Sequence, residues 1–200
     1  LDSVGLHGLV YLPEGFRNLT NNGHAVAEPS DMKGLKIRTM ENPIHMAAFR
    51  SWGASPTPMP FGEVFSALEQ GVVDGQENPT TVPYFQKFYE VQKFYSHTEH
   101  FAAPYILMIS KKFWDSLPAD DKALFEDAAR TAYDVHKEVS SQYNEEVLEK
   151  LESLMTVTIL TGEQKQMFRQ AAEPVYAQVR KELGEDVVDR FVKAVEEASK

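Results

Sequence analysis

The 200-residue chain contains no cysteine, which excludes disulfides and thiolate metal sites but leaves the compartment open, because many exported proteins also lack it. It has no run approaching the ~20 apolar residues needed to span a bilayer. It begins Leu1-Asp2-Ser3, without an initiator methionine or the basic-then-apolar pattern of a signal peptide, so a soluble chain lacking its natural beginning is expected. Positive charge is scarce as well: 20 Lys and Arg against 30 Asp and Glu give a net charge of -10. The basic residues form no stripe, which argues against nucleic acid as a partner. There is no nucleophile elbow, phosphate loop or HExxH, so a catalytic reading has little to stand on, and no cofactor or metal is expected.

What is present is a globular composition, 42% hydrophobic and 25% charged, enough for one ordinary core or two small lobes sharing one. In a chain this acidic, an anion has to be recognised locally, so individual arginines carry more information than net charge. Residues 4–12 form an apolar run, residues 35–40 alternate with period two, and residues 71–75 and 105–110 resemble further short strands. Amphipathic helices are expected at about 44–52 and 62–70. The alternation implies a mostly parallel sheet flanked by helices.

From Pro118 to about Leu154 the pattern changes. Apolar residues recur at steps of three and four from Leu124 through Ala128, Ala132, Val135, Val139, Tyr143, Val147 and Leu151, tracing one helical stripe. Such a helix is on the order of 50 Å long at 1.5 Å per residue, the length of a brace between two lobes. A strand at 156–160 follows. Thr161 and Gln164 then match a capping box for a helix that Gly184 ends, and a last helix covers about 186–198.

Arg38 is the first candidate site residue. Lys36 and Arg38 alternate with Leu35 and Ile37, and Arg38 falls near the strand's C-terminal end, the edge that borders ligand crevices in open α/β sheets. Its guanidinium offers a planar fork that matches a carboxylate bidentately. The bland alternative is a surface or salt-bridging arginine. Asn78, in Asp74-Gly75-Gln76-Glu77-Asn78-Pro79, offers both an amide donor and a carbonyl acceptor, but the bare pattern is that of a strand end running into a polar turn. Arg17 sits in what reads as a polar loop, Arg17-Asn18-Leu19-Thr20-Asn21. His97 and His100, three apart without a third ligand, read as surface residues, and Glu126, Glu138, Glu145 and Glu146 as the solvated face of the long helix. Met40, Met46, Met59, Phe65 and Trp52 read as core filling.

Taken in order, Asp31-Met32-Lys33-Gly34-Leu35-Lys36-Ile37-Arg38, then Gly53-Ala54-Ser55-Pro56-Thr57-Pro58-Met59-Pro60-Phe61, then residues 63–79 and Lys87-Phe88-Tyr89-Glu90-Val91-Gln92-Lys93 resemble the solute-binding subunits of TRAP transporters, the DctP-like family. The resemblance continues through Ser110-Lys111-Lys112-Phe113-Trp114 and covers essentially the whole chain. It implies a two-lobed, periplasmic-binding-protein-like α/β fold. Residues 1–110 would be mainly the second lobe, and residues 111–200 the bracing helix, a short strand and C-terminal helices packing on both lobes, with most of the first lobe absent. It implies a periplasmic receptor that closes on a small organic acid, such as a C4-dicarboxylate or a sugar acid, and delivers it to the membrane subunits of a TRAP transporter. A carboxylate sensor, or a fragment that has lost binding, are the alternatives. The family's carboxylate-binding arginine falls on Arg38, its ligand-contacting asparagine on Asn78 and a pocket aromatic on Phe61. A further binding arginine falls on Arg17 with a one-residue offset. Removal of part of a lobe would expose apolar surface and favour self-association.

Overall fold

A computed structural model describes residues 1–198. In chain order the elements are β1 (Leu6–Asn21), β2 (Lys36–Thr39), α1 (Pro43–Ser51), β3 (Ser55–Pro58), α2 (Val64–Glu69), β4 (Gly75–Pro79), α3 (Thr81–Phe85) and β5 (Phe94–Ser110). They continue with α4 (Lys111–Ser116), α5 (Ala119–Glu152), β6 (Thr156–Ile159), α6 (Gly162–Ala171), α7 (Glu173–Leu183) and α8 (Glu185–Ala198). The segment expected over 111–200 thus has its last two residues outside the described part of the chain.

One six-stranded sheet runs in the order β3-β2-β4-β1-β5-β6. The expectation of a mostly parallel sheet is corrected in its middle: β2 pairs in parallel with β3 and β4, and β5 with β6, but the central β1 is antiparallel to both β4 and β5. The apolar pattern could not reveal this, because a strand buried on both faces reads alike in either direction. β1 and β5 are also far longer than their apolar runs. Their distal halves, Leu6 to Pro13 against Pro104 to Ser110, pair only with each other and leave the main sheet as a two-stranded ribbon.

The strand expected at residues 71–75 lies instead at Gly75–Pro79. Val73 is buried, but in a cluster with Val64, Leu68 and Phe88 that closes the end of α2, while the polar residues that follow enter the sheet. Gly75 is required there: a Cβ would stand 2.1 Å from the Thr20 carbonyl oxygen of the neighbouring strand. The helix expected from Thr161 to Gly184 opens with the predicted capping box but divides into α6 and α7 around Ala172. Pro174 explains the break, since it has no N–H to donate to the preceding turn.

The largest core cluster packs Leu19, Ile37 and Val26 against Phe49 of α1, Trp52 just past its end, and Phe168 and Val175 of the C-terminal helices. Trp52 is pinned there, its indole N–H donating to the Phe168 carbonyl at 2.9 Å. On the opposite sheet face Tyr95 packs with Val147, Leu151 and Met155. The long helix is thereby anchored at its C-terminal end, whereas Leu124 at 68%, Val135 at 57% and Val139 at 48% exposure leave the rest of its apolar stripe uncovered. His136 and Asn144 tie the helix to the start of the ribbon by hydrogen bonds to the carbonyls of Pro13 and Glu14.

Candidate functional site

Where the C-terminal ends of β2 and β4 meet β1, the sheet interior becomes polar. Arg17, Asn18, Thr20, Arg38, Gln76, Glu77, Asn78, Thr80, Gln92 and Ser96 are all buried, and Glu77 is completely inaccessible. Burial of this many polar groups is tolerated only if they bond one another. The register supplies the partners: Arg38 stands beside Gln76 in parallel pairing, and Thr20 faces Gln76 and Asn18 faces Asn78 across the antiparallel pair. On this face a relay runs from Asn78 Nδ2 to Gln76 Oε1 at 2.5 Å, from Gln76 Nε2 to Thr20 Oγ1 at 3.0 Å, and from the Thr20 hydroxyl to Gln92 Oε1 at 3.0 Å. It fixes the orientation of the Asn78 amide and leaves Oδ1 to accept from Arg17 at 3.1 Å.

The other face carries a charged cluster. Arg17 donates from Nε to Glu77 Oε2 at 2.5 Å, and from Nη2 to Glu77 Oε1 at 2.9 Å and to the Glu77 carbonyl at 2.7 Å. His100 reaches the same carboxylate, with Nε2 at 3.3 Å from Oε2, while Nδ1 lies 2.6 Å from the Thr98 hydroxyl. These partners set the tautomer: Nε2 carries the proton and Nδ1 accepts. His100 arrives there through a bulge in β5, where Arg17 pairs with Phe101 but Leu19 pairs with Ser96, so residues 97–100 stand opposite Asn18. Within the bulge Glu99 takes a left-handed φ of 48°, held by its N–H donating to Asn18 Oδ1 at 2.9 Å, by a 3.2 Å contact of its carboxylate with His97 Nε2 and by an ion pair with Lys165.

Electrostatically the two clusters differ. Burial by itself would raise the Glu77 carboxyl, but hydrogen bonds from His100 and Arg17 and the charge of Arg17 hold it below the ordinary carboxylate value. Burial pushes His100 down, against the pull of Glu77, so the ring is neutral at pH 7. Burial also pushes the Arg38 guanidinium down, opposed by Glu77 and reinforced by Arg17. Arg38 nevertheless has no carboxylate bound to it. Its Nε and Nη2 donate to the Met59 carbonyl at 3.1 and 2.7 Å, and the guanidinium lies 5.9 Å from the centre of the Phe61 ring. The residue is 3% exposed, and its bonds to Met59 leave Nη1 for another acceptor.

The structure therefore brings Arg38, Phe61, Asn78 and Arg17 to one end of the sheet, with several of their surroundings corrected. Arg17 is on β1, not in a loop, and its Nε and Nη2 are taken by Glu77 and Asn78. Asn78 is on β4, not in a turn, with its oxygen already engaged. Arg38 is neither on the surface nor in a salt bridge. Phe61 is 45% exposed and touches Phe88 with ring centroids 6.4 Å apart. The expectation that His97 and His100 lie on the surface fails, because the His100 side chain is 2% exposed and that of His97 17%. Glu77 and His100 went unrecognised in the sequence. The available signal was a carboxylate set between two amide side chains on a strand. Among the described residues no cluster of three or more His, Asp or Glu is placed to hold a metal, and no helix is long and apolar enough to cross a membrane.

Residues 1–182 match the family described as bacterial extracellular solute-binding protein, family 7, or DctP. A 2,3-diketo-L-gulonate-binding periplasmic protein of Escherichia coli K12 is 35% identical over 195 residues, which cover 98% of this chain and 56% of that protein. A crystal structure of a TRAP periplasmic solute-binding protein from Ochrobactrum anthropi, with its C-terminus in the ligand-binding pocket, superposes with a TM-score of 0.92 at 43% identity over 100% of this chain and 62% of that one. Another from Polaromonas, bound to D-erythronate, gives a TM-score of 0.88 at 38% identity over 94% of this chain and 62% of that one. The chain thus spans little more than half the length of the proteins it matches.

Proposed function

This chain belongs to bacterial extracellular solute-binding protein family 7, and from that membership we propose that it is the carboxylate-holding part of a periplasmic receptor that captures a small organic acid and passes it to the membrane subunits of a TRAP transporter. The observation that carries this reading is Arg38: a buried cation in a chain of net charge -10, bonded to a carbonyl instead of a carboxylate, with Nη1 unused. Arg38 takes one carboxylate of the ligand. Asn78 offers the second hydrogen of its amide, Phe61 covers the guanidinium with its ring, and Arg17 contributes through Nη1. The Arg17–Glu77 pair supports the reading by stiffening the strand end and by leaving Arg38 as the unneutralised arginine at the site.

Catalysis forms no part of this proposal. Glu77, the one buried carboxylate among the described residues, is held ionised by Arg17 and His100, which makes it a poor general base. Along α5 an apolar stripe stays uncovered, with Leu124, Val135 and Val139 exposed. In the chain by itself the same stripe favours self-association, as an exposed apolar face does.

Calorimetric titration with a panel of organic acids tests the reading. A charge-assisted hydrogen bond contributes about 1.5–3 kcal/mol, so loss of two in Arg38→Ala weakens binding by roughly a hundredfold or more. Arg38→Lys is expected to behave nearly as badly, because an ammonium cannot reproduce the planar fork. Retention of affinity within a few fold in either variant would refute the assignment.

A further inference from the structure

We propose that His45 is a specificity-determining residue of this site, hydrogen-bonding a hydroxyl carried on the carbon next to the ligand's carboxylate. The proposal rests on the carboxylate reading of Arg38. His45 lies in the first turn of α1, which opens just beyond β2, and its backbone N–H is fixed there by the side chain of Asn42. Arg38 rises from one face of the sheet. Ile37 and Thr39, its neighbours on β2, face the other side, where α1 packs. Arg38 and His45 thus flank the same strand ends from opposite faces, and both lie in the electrostatic reach of Arg17 and Glu77.

The His45 ring is held but not bonded. It stacks on Phe101 with centroids 4.1 Å apart and planes 19° from parallel, and Phe101 is the register partner of Arg17. Its Nδ1 is buried without a hydrogen-bond partner. Thr39 Oγ1, at the end of β2, is buried and unpartnered too. Folded proteins rarely leave such atoms unsatisfied; Asn21 Nδ2 and His97 Nδ1 are the other buried unpartnered atoms among the described residues, and the pair at Thr39 and His45, within seven residues of Arg38, points to a polar group that arrives from outside the chain. Arg17, Arg38 and Asn78 each make at least one bond within the protein, whereas the side chains of His45 and Thr39 make none, so this corner adds polar groups that a ligand can engage.

The ring's charge state selects the class of ligand group. Burial, together with Arg17 and His100, keeps His45 neutral despite Glu77. A neutral imidazole offers one donor and one acceptor, as a hydroxyl does, whereas a second carboxylate would use only the donor and give nothing to the ring's acceptor nitrogen. A hydroxyl on the carbon next to a carboxylate held by Arg38 is the polar group nearest to that carboxylate. Hydroxy acids are therefore favoured over their deoxy counterparts.

The test is calorimetric titration of the protein at its natural full length with two matched probe pairs, L-malate against succinate and D-erythronate against 3,4-dihydroxybutanoate. Each pair differs by one hydroxyl next to a carboxylate. The unaltered protein is expected to prefer the hydroxylated member of at least one pair. His45→Ala should cut that preference about 5- to 10-fold, the scale of one hydrogen bond, by weakening the hydroxylated member alone. His45→Phe, which keeps a ring to stack on Phe101, should lose as much. His45→Gln, which keeps a donor and an acceptor, should retain most of the preference. No preference in the unaltered protein, an equal loss on both members of a pair, or a ratio within twofold of the original in both His45→Ala and His45→Phe overturns the inference. If Arg38→Ala abolishes binding of all four acids while the His45 variants change no ratio, the carboxylate reading survives and this one falls. If the folded, unaltered protein binds none of the four, both fall.

Discussion

Replacing Glu77 by glutamine deletes the counter-charge of Arg17 while keeping nearly the same volume. In the native protein the carboxylate is completely buried and receives bonds from Arg17 at 2.5 and 2.9 Å and from His100. The glutamine carbonyl oxygen can still accept at the Oε2 position, but the amide then turns an NH2 group toward Arg17 Nη2. Leaving one partner of a buried pair uncompensated costs about 3–5 kcal/mol. With an unfolding entropy of about 2.1 cal/mol/K per residue, a chain of this length loses roughly 7–12 °C in Tm. Differential scanning calorimetry and urea titration read the effect, and the double variant Glu77→Gln with Arg17→Met should regain at least half of it, because no buried charge is then left alone. A single variant that melts within 2 °C of the unaltered protein would refute the claim that this cluster holds the strand ends together.

Two further outcomes follow from the same geometry. Burial depresses His100 and His45 below their unfolded values, and the bonds to Glu77 depress that carboxyl below its own. In each case the unfolded chain binds protons that the native one refuses, so stability is present above the unfolded pKa and declines as pH falls. The urea midpoint should drop from about pH 6.5 downward and more steeply below about pH 4.3, the unfolded values for His and Glu. His100→Asn should flatten the first part, and a midpoint that rises on going from pH 7 to pH 5 would contradict the assignment. Gly75→Ala should abolish soluble expression or cost more than about 3 kcal/mol by urea titration, because the added Cβ meets backbone of β1, which cannot yield. Gly62→Ala, with nothing within 4 Å of the added carbon, should stay within about 0.5 kcal/mol of the original.

The family of this chain and the position of Arg38 were legible in the sequence because both reside in short local patterns. The alternation of residues 35–38 placed the arginine at a strand end, and the long unbroken stripe after Pro118 produced α5 almost to the residue. The capping box at Thr161 was equally local, with both of its side-chain bonds formed. These features depend on chain periodicity and on contacts a few residues apart, so they survive without knowledge of the partners.

What only the tertiary structure decided is the polar interior of the sheet. Residues 17–21 and 75–79 looked like loop and turn because they are polar, yet they form the buried centre of the sheet, each supplying the partners of the other across the β1–β4 pair. Hydrophobicity cannot announce a strand whose burial is stabilised by hydrogen bonds to residues some sixty positions away, such as those from Arg17 to Glu77. For the same reason His100, delivered by a bulge to a carboxylate on another strand, and the unpartnered ring of His45 were invisible until the register of the strands was known. Local sequence determined which residues carry charge and which elements hold them. Long-range pairing determined which of those charges were neutralised within the protein and left Arg38 without a carboxylate of its own.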